Sequence, residues 1–522
     1  MEERKESSLE DVELQEEGVV QDETVLPEST DSLQKEGVSE PTETQGIVSG
    51  IDNKEVKAEA NSYSLGAGFA TVVNSIIGTG VFGIPLGFYS AGIPLSGISL
   101  FIFFVLNVIT MNYLLEGMAR SEGKEELKET GAENDFEVTP VNEIKYRLFD
   151  ITALGYQWGG QPFKWFNFAC MVLYIYGGLW AYVATATSTL STIFWMVYGE
   201  PDRCVDKSGK WECQLSYYTC LILYSVIVLS LSFVDLSKQG KLQMILTFYR
   251  FFTFGIMLVT CVVQLSIGGP IGTDTTFLYK FKFVGFGTMF THTAFALTCH
   301  HLIPDAVTPV NNKKFVFWTT SGAMIVSAIF YFLVGLICSW TFGETVVSPI
   351  TNKWSKYNGR DGGWGSGSTA WYAYPIQYMV LLFPVINLCN SYPLMATALS
   401  SNLRNCFTKK FSTGHPKWTK VFCKLLAFVP GILFACAVGS LQIIFDISGL
   451  LALFLAFTIP SLVEILSIFK DRKFYGKGSE KTPYSFKVFG NYYVSAVLFV
   501  LSFIFLGMSI YFLIAEQIEK HK

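Results

Sequence analysis

Twelve residues, NSIIGTGVFGIP from Asn74 to Pro85, sit inside an apolar stretch, Ser64 to Phe88, that is otherwise long enough to cross a bilayer as one helix. Three glycines and a proline interrupt it. A helix whose hydrogen-bond ladder ends at mid-membrane leaves bare N–H and C=O groups, which are tolerated only where they line a cavity or bind something. The break is therefore a candidate binding site. In discontinuous spans the N-terminus of a half-helix faces an anionic group and the unwound carbonyls face a cation.

The rest of the chain agrees with a membrane setting. Of 522 residues 50% are apolar, 16% aromatic and only 16% charged, the composition of a polytopic membrane protein. The first apolar segment is too long for a cleaved signal sequence and is expected to remain as a span. Residues 1–60, rich in Glu, Asp, Gln and Ser, are too poor in apolar side chains to offset the entropy of ordering, and are expected to form a disordered acidic cytosolic tail. The net charge of −5 comes largely from this tail, and no basic, aromatic-interleaved patch points to nucleic acid. The tail offers a surface to cytosolic protein partners.

Eleven apolar runs are long enough to span. They are Ser64 to Phe88, Ala91 to Leu115, Trp165 to Tyr198, Tyr217 to Val234, Leu242 to Ile267 and Phe283 to Val310. Then come Phe315 to Trp340, Trp371 to Leu403, Phe422 to Gly439, Leu441 to Phe469 and Tyr492 to Ile514. The expected domain layout is the tail followed by an eleven-helix region over 64–515. With the N-terminus inside, the inside connections carry 22 Lys and Arg and the outside connections with the C-tail carry 10, so the N-terminus is expected to be cytosolic.

Of eleven cysteines, only Cys204 and Cys213 fall in an outside connection. They are expected to form a disulfide in an oxidising compartment, two free thiols being the alternative. The Gly-, Ser- and Trp-rich stretch from Thr341 to Ala370 reads as an irregular outer loop with the character of a lid.

Polar residues inside the spans are the candidates for chemistry. In the first span Asn74 and Thr79 flank Gly78 and Gly80; the freed amides from Thr79 through Val81 to Gly83 suit a carboxylate, and the Asn74 carbonyl suits a sodium ion. The sixth span carries His292, His300, His301 and Asp305 around Pro304. Ionisable groups at membrane depth are costly and functional by default. His300 or His301 would bind solute or relay protons, a hydrogen-bonded neutral histidine being the plainer alternative. Asp305 is expected to pair with Arg250. The eighth span adds Asn387, Asn390, Ser391 and Thr397 around Pro393, and Asp446 and Glu464 are acids of the tenth. The sequence holds no phosphate-cradling loop, metal-spaced Cys/His set or nucleophile elbow, which argues against an enzyme and against a bound metal or other cofactor.

These residues resemble the amino acid/auxin permeases, a branch of the amino acid-polyamine-organocation superfamily. Asn74 to Pro85 match the Asn-x-x-x-Gly-[Ser/Thr]-Gly-x-x-[Gly/Ser]-x-Pro pattern of that family's first span. Phe295 to His300, FALTCH, is similar to its sixth-span Phe-x-Phe-x-Cys-His, with Leu297 in place of the second aromatic. Within the family, YIYGGLWAYVATA in the third span, FVDLSKQGKLQMILTFYR across the fourth and fifth, and Cys299, His301, Pro304 and Thr308 to Val310 resemble the transmembrane protein 104 group.

The resemblance implies an all-α LeuT-type fold, two five-helix inverted repeats plus an eleventh transmembrane helix. It implies substrate where the first and sixth spans unwind, so that Asn74, Gly78, Thr79, Gly80, Val81, Phe295, Cys299 and His300 are expected to bind an amino acid. Asn74, Thr397, His301 and Asp446 are the ion-coupling candidates, with Na+ or H+ as the ion. The expected activity is secondary amino-acid transport by alternating access; the alternative is a membrane amino-acid sensor that signals through the tail. Tyr146 to Phe149 resembles a tyrosine sorting signal, and an endolysosomal membrane is expected ahead of the plasma membrane.

Overall fold

The computed structural model describes residues 64–131, 139–145, 147–200, 203–204, 210–231, 240–404, 416–486 and 488–520. The acidic tail and Tyr146 lie outside them. The described residues hold helices and 3-10 turns and no β-strand.

The first span is two helices, α1 (Leu65–Ile76) and α2 (Ile84–Ala91), joined through a 3-10 turn, Thr79–Phe82. Ser64 starts α1 by accepting the Ala67 N–H on its hydroxyl, and Pro85 opens α2, where its missing N–H costs nothing. The sixth span is likewise divided into α7 (Phe286–Leu297), a 3-10 turn at His300–Leu302 and α8 (Ile303–Val307). The sequence placed this interruption at Pro304. It falls earlier, at Thr298 and Cys299, because Pro304 occupies the first turn of α8 and is tolerated there.

Nine further helices are long and apolar enough to cross a membrane, among the described residues. They comprise α3 (Ile93–Glu129), α4 (Ile151–Val197), α5 (Trp211–Leu231), α6 (Gly240–Ile267), α9 (Val316–Phe342), α10 (Ala373–Arg404) and α11 (Pro416–Ala437). The tenth span is α12 (Leu441–Leu453) running through a π turn, Phe454–Thr458, into α13 (Ile459–Tyr475), and α14 (Tyr492–Lys520) closes the set.

A short helix from Ile151 precedes the third span and is set off from it where Gly160 takes φ 72° ahead of Pro162, so the span itself begins close to the expected Trp165. Helix α3 continues past Leu115 to Glu129 because its charges are used inside the protein. Arg120 gives Glu464 two hydrogen bonds, of 2.6 and 3.0 Å, and Glu116 one of 2.6 Å. Ser467 and the Glu480 carbonyl take its remaining donors. Two carboxylates and a guanidinium are thus buried as a hydrogen-bonded group where the sequence showed only a charged connection.

Burial ranks the helices. Of the apolar window of Leu441–Tyr475, 72% is buried, against 17% for α14, so the tenth span stands at the centre and α14 at the rim. Large apolar side chains such as Phe101, Ile222, Phe248 and Ile329 face outward, as helices in lipid require. The loop after α9 is more ordered than the sequence suggested. Its 3-10 segment Ile350–Lys356 buries Trp354, whose indole N–H donates to Thr260 Oγ1 on α6, and Phe342, Trp354, Tyr357 and Trp364 pack edge to face. Cys204 and Cys213 are joined as a disulfide, as expected from their placement.

Candidate functional site

The two interrupted spans meet at their breaks. Gly80 lies so close to α7 that a β-carbon would stand 2.6 Å from Ala296 Cα, a distance that no side chain can accept. With hydrocarbon on every side, helices associate by packing and polar links, and small residues permit the approach. One such link is Tyr331 of α9. Its hydroxyl is 2.7 Å from the Ile76 carbonyl at the end of α1 and 3.2 Å from the Ala296 carbonyl at the end of α7. Tyr174 of α4 does the same on the other side of the second break, 3.3 Å from the Phe295 carbonyl and 3.1 Å from that of Thr298. The carbonyls freed by unwinding are thus served by tyrosines from neighbouring helices.

Most of the expected substrate residues are gathered here. Thr79, Gly80 and Val81 are buried in the first break, and Gly78 faces the hydroxyl of Tyr182. Phe295 packs between Tyr174 and Phe445, and Cys299, four residues further along the chain, is fully buried. The adjacent histidines diverge: His300 Nε2 lies 3.0 Å from Thr110 Oγ1 on α3, whereas the His301 ring stands edge-on to Tyr174. Thr79 Oγ1, His300 Nδ1 and both ring nitrogens of His301 are buried without a hydrogen-bond partner in the protein. Buried polar atoms of this kind are rare in native interiors and concentrate where a ligand or water binds.

The expected cation site is arranged differently. Asn74 exchanges hydrogen bonds with Thr247, and its Oδ1 also accepts from Arg250 Nη1 at 3.2 Å, while Arg250 Nη2 donates to Asn387 Oδ1 at 2.9 Å. Arg250 is therefore not bonded to Asp305, as the sequence suggested, but links the first, fifth and eighth spans through two amides. Thr397 lies ten residues along α10 from Asn387, roughly 15 Å of helix. Asp446, on α12, is beside α7 with its Oδ1 3.7 Å from His292 Nε2.

Sequence reasoning did not single out Tyr331 or Tyr174, since a tyrosine in an apolar span reads as core, and it left Glu516 beyond the eleventh span. The extension of α14 to Lys520 places Glu516 against Thr288 of α7 at 2.6 Å.

The family profile described as transmembrane amino acid transporter protein matches residues 61–515. A transmembrane protein 104 homolog from Caenorhabditis elegans is 25% identical over 353 residues, 66% of this chain and 69% of its own length. Transmembrane protein 104 of Mus musculus is 22% identical over 439 residues, covering 76% and 85%. The homolog from Dictyostelium discoideum is 22% identical over 495 residues, covering 83% and 94%. With the profile running from the tail boundary through the last span, the chain belongs to the family of transmembrane amino acid transporter proteins.

Proposed function

We propose that the chain is a secondary transporter of amino acids that works by alternating access at the junction of its two interrupted spans and draws on a proton gradient. One observation carries this reading: the breaks of the first and sixth spans touch, at Gly80 and Ala296, with a single tyrosine hydroxyl reaching the last carbonyls of both half-helices. A polar solute that replaces that hydroxyl's bonds, or competes for them, alters how α1 and α7 are held to each other. The unpartnered Thr79 and His301 atoms offer the solute a hydroxyl and two ring nitrogens. The interrupted spans are first and sixth in order, the pair that a LeuT-type repeat of five and five helices would relate.

Proton coupling is favoured over sodium by Arg250. The Asn74 oxygen that a sodium ion would need accepts from a guanidinium, which already places positive charge beside the carbonyl end of α1. The test is uptake of the twenty radiolabelled amino acids, in pools, by the purified protein in proteoliposomes, with proton and sodium gradients imposed separately. Proton-driven uptake that is absent from Gly80→Leu and unchanged when sodium is replaced by a large organic cation supports the proposal. Binding without flux would make the protein a sensor, and sodium-driven uptake would overturn the coupling.

A further inference from the structure

Two helices close on α7 through glycines, and each brings a carboxylate. Gly449 of α12 rests on the backbone of Thr291, and at Gly287 of α7 a β-carbon would stand 2.7 Å from Leu513 N of α14. Asp446, one turn before Gly449, lies 2.8 Å from Thr291 Oγ1, and Glu516, three residues after Leu513, lies 2.6 Å from Thr288 Oγ1. His292 projects from the same helix and is fully buried. Its Nδ1 is 3.0 Å from the Gly83 carbonyl, at the foot of the first span's break, and its Nε2 has no hydrogen-bond partner and lies 3.7 Å from Asp446 Oδ1. A carbonyl only accepts, so Nδ1 carries a hydrogen, and Nε2 is the atom that gains or loses one.

We infer that His292 and Asp446 together hold one transported proton. This rests on the transporter reading and gives it a coupling site. Without the proton, a ring lone pair faces a carboxylate oxygen. With it, the pair is either an imidazolium against a carboxylate or a neutral ring against a carboxylic acid, and both are attractive. Thr291 suits either state. Its hydroxyl donates to Asp446 when that group is ionised, and is free to turn to the Gly287 carbonyl, 3.0 Å away, when the protonated carboxyl gives its hydrogen to His292.

The charges near the ring are Asp446 from α12 and Glu516 from α14, and the Gln442 carbonyl at the start of α12 also approaches it. From α3 the neighbour of α7 is Phe103, edge-on to Phe290, and the first span contributes the Gly83 carbonyl. Asp446 also lines a cleft between α12 and α14, with Ile443, Ile447, Leu513, Ile514 and Gln517. Of the pair, Asp446 is the member that lines this cleft, and the His292 ring is fully buried. Charging the ring strengthens the Nδ1–H bond to Gly83, so occupancy at this site is transmitted to the break where solute would bind.

The experiment uses the full chain in proteoliposomes with an entrapped pH-sensitive dye, and the amino acid best taken up by the wild type. Each preparation is read twice, for internal acidification during uptake and for exchange of labelled amino acid at equal pH. The expected result is acidification and exchange by the wild type, and exchange without acidification by H292Q and D446N, with acidification regained in D446E. If D446N does not fold, H292Q decides through the same two readouts. Acidification by exchanging H292Q or D446N at the wild-type level would overturn the site and leave transport standing, as would a wild type that moves amino acid without acidification. A wild type that moves no amino acid would remove the transporter reading and the site with it.

Discussion

Tyr331 has one hydroxyl proton and two carbonyls within reach, so Ile76, at 2.7 Å, and Ala296, at 3.2 Å, compete for it. Replacing Tyr331 with Phe keeps the ring and strips the link from both half-helices. The Ile76 carbonyl keeps the Gly78 N–H, 2.8 Å away, so we expect the variant to lose about 0.5–1.5 kcal/mol of stability, the net worth of one hydrogen bond, and to transport more slowly, as checked by thermal unfolding in detergent and by uptake. Arg120 tests a different balance. With Arg120→Met, Glu116 and Glu464 remain buried without their guanidinium, and we expect a loss of roughly 3–5 kcal/mol in the same unfolding assay. Neither residue stood out in the sequence. A tyrosine among apolar residues has the pattern of core, and Arg120 sits in a charged stretch that ordinarily marks a connection outside the membrane. The glycines were legible for the opposite reason, since three of them with a proline have no place in an unbroken span.

At the scale of elements, apolar length alone located nearly every span, because lipid leaves a helix few ways to satisfy its backbone. The ends were less visible. Helix α3 runs on to Glu129 and α14 to Lys520 because charged side chains find partners inside the protein, and hydropathy does not register partners. The connection between α6 and α7 is held by charge as well. Asp274 accepts from the Thr276 hydroxyl and amide and from Lys282, and the Thr276 bonds, followed by the Lys282 ion pair, hold its carboxyl below the ordinary 3.8. A depressed folded-state value means that this contribution is complete above pH 3.8 and is lost as the pH falls below it. The group is largely open to solvent, so the effect is modest. Unfolding of Asp274→Asn compared with wild type should show a stability difference at neutral pH that vanishes in acid.

Taken whole, the molecule places its candidate substrate residues, the Arg250 link and the His292 site around the same two half-helices. The sequence foresaw the meeting of the first and sixth spans through the resemblance of their motifs, and picked out Asp446 as an acid of the tenth span. It did not foresee that Arg250 would reach Asn74, since residues 176 positions apart share no local pattern. Removing residues 1–60 separates the two functional readings at this scale. We expect uptake in proteoliposomes to survive the deletion; a sensor acting through the tail would instead lose its downstream response in cells while still binding amino acid.

The π turn at Phe454–Thr458 sets how the two ends of the tenth span are aimed. Asp446 and Glu464 are eighteen residues apart, five full turns of an uninterrupted α-helix, and would share one face. A π turn takes up one residue more than an α turn, which offsets the later face by about 100°. Asp446 is thereby turned to His292 while Glu464 is turned to Arg120. Winding this stretch as regular α-helix with no change in its number of residues would bring its two carboxylates back into phase and take one of them off its target. The tenth span thus behaves as a keyed shaft, in which the timing between its ends is stored in a single π turn.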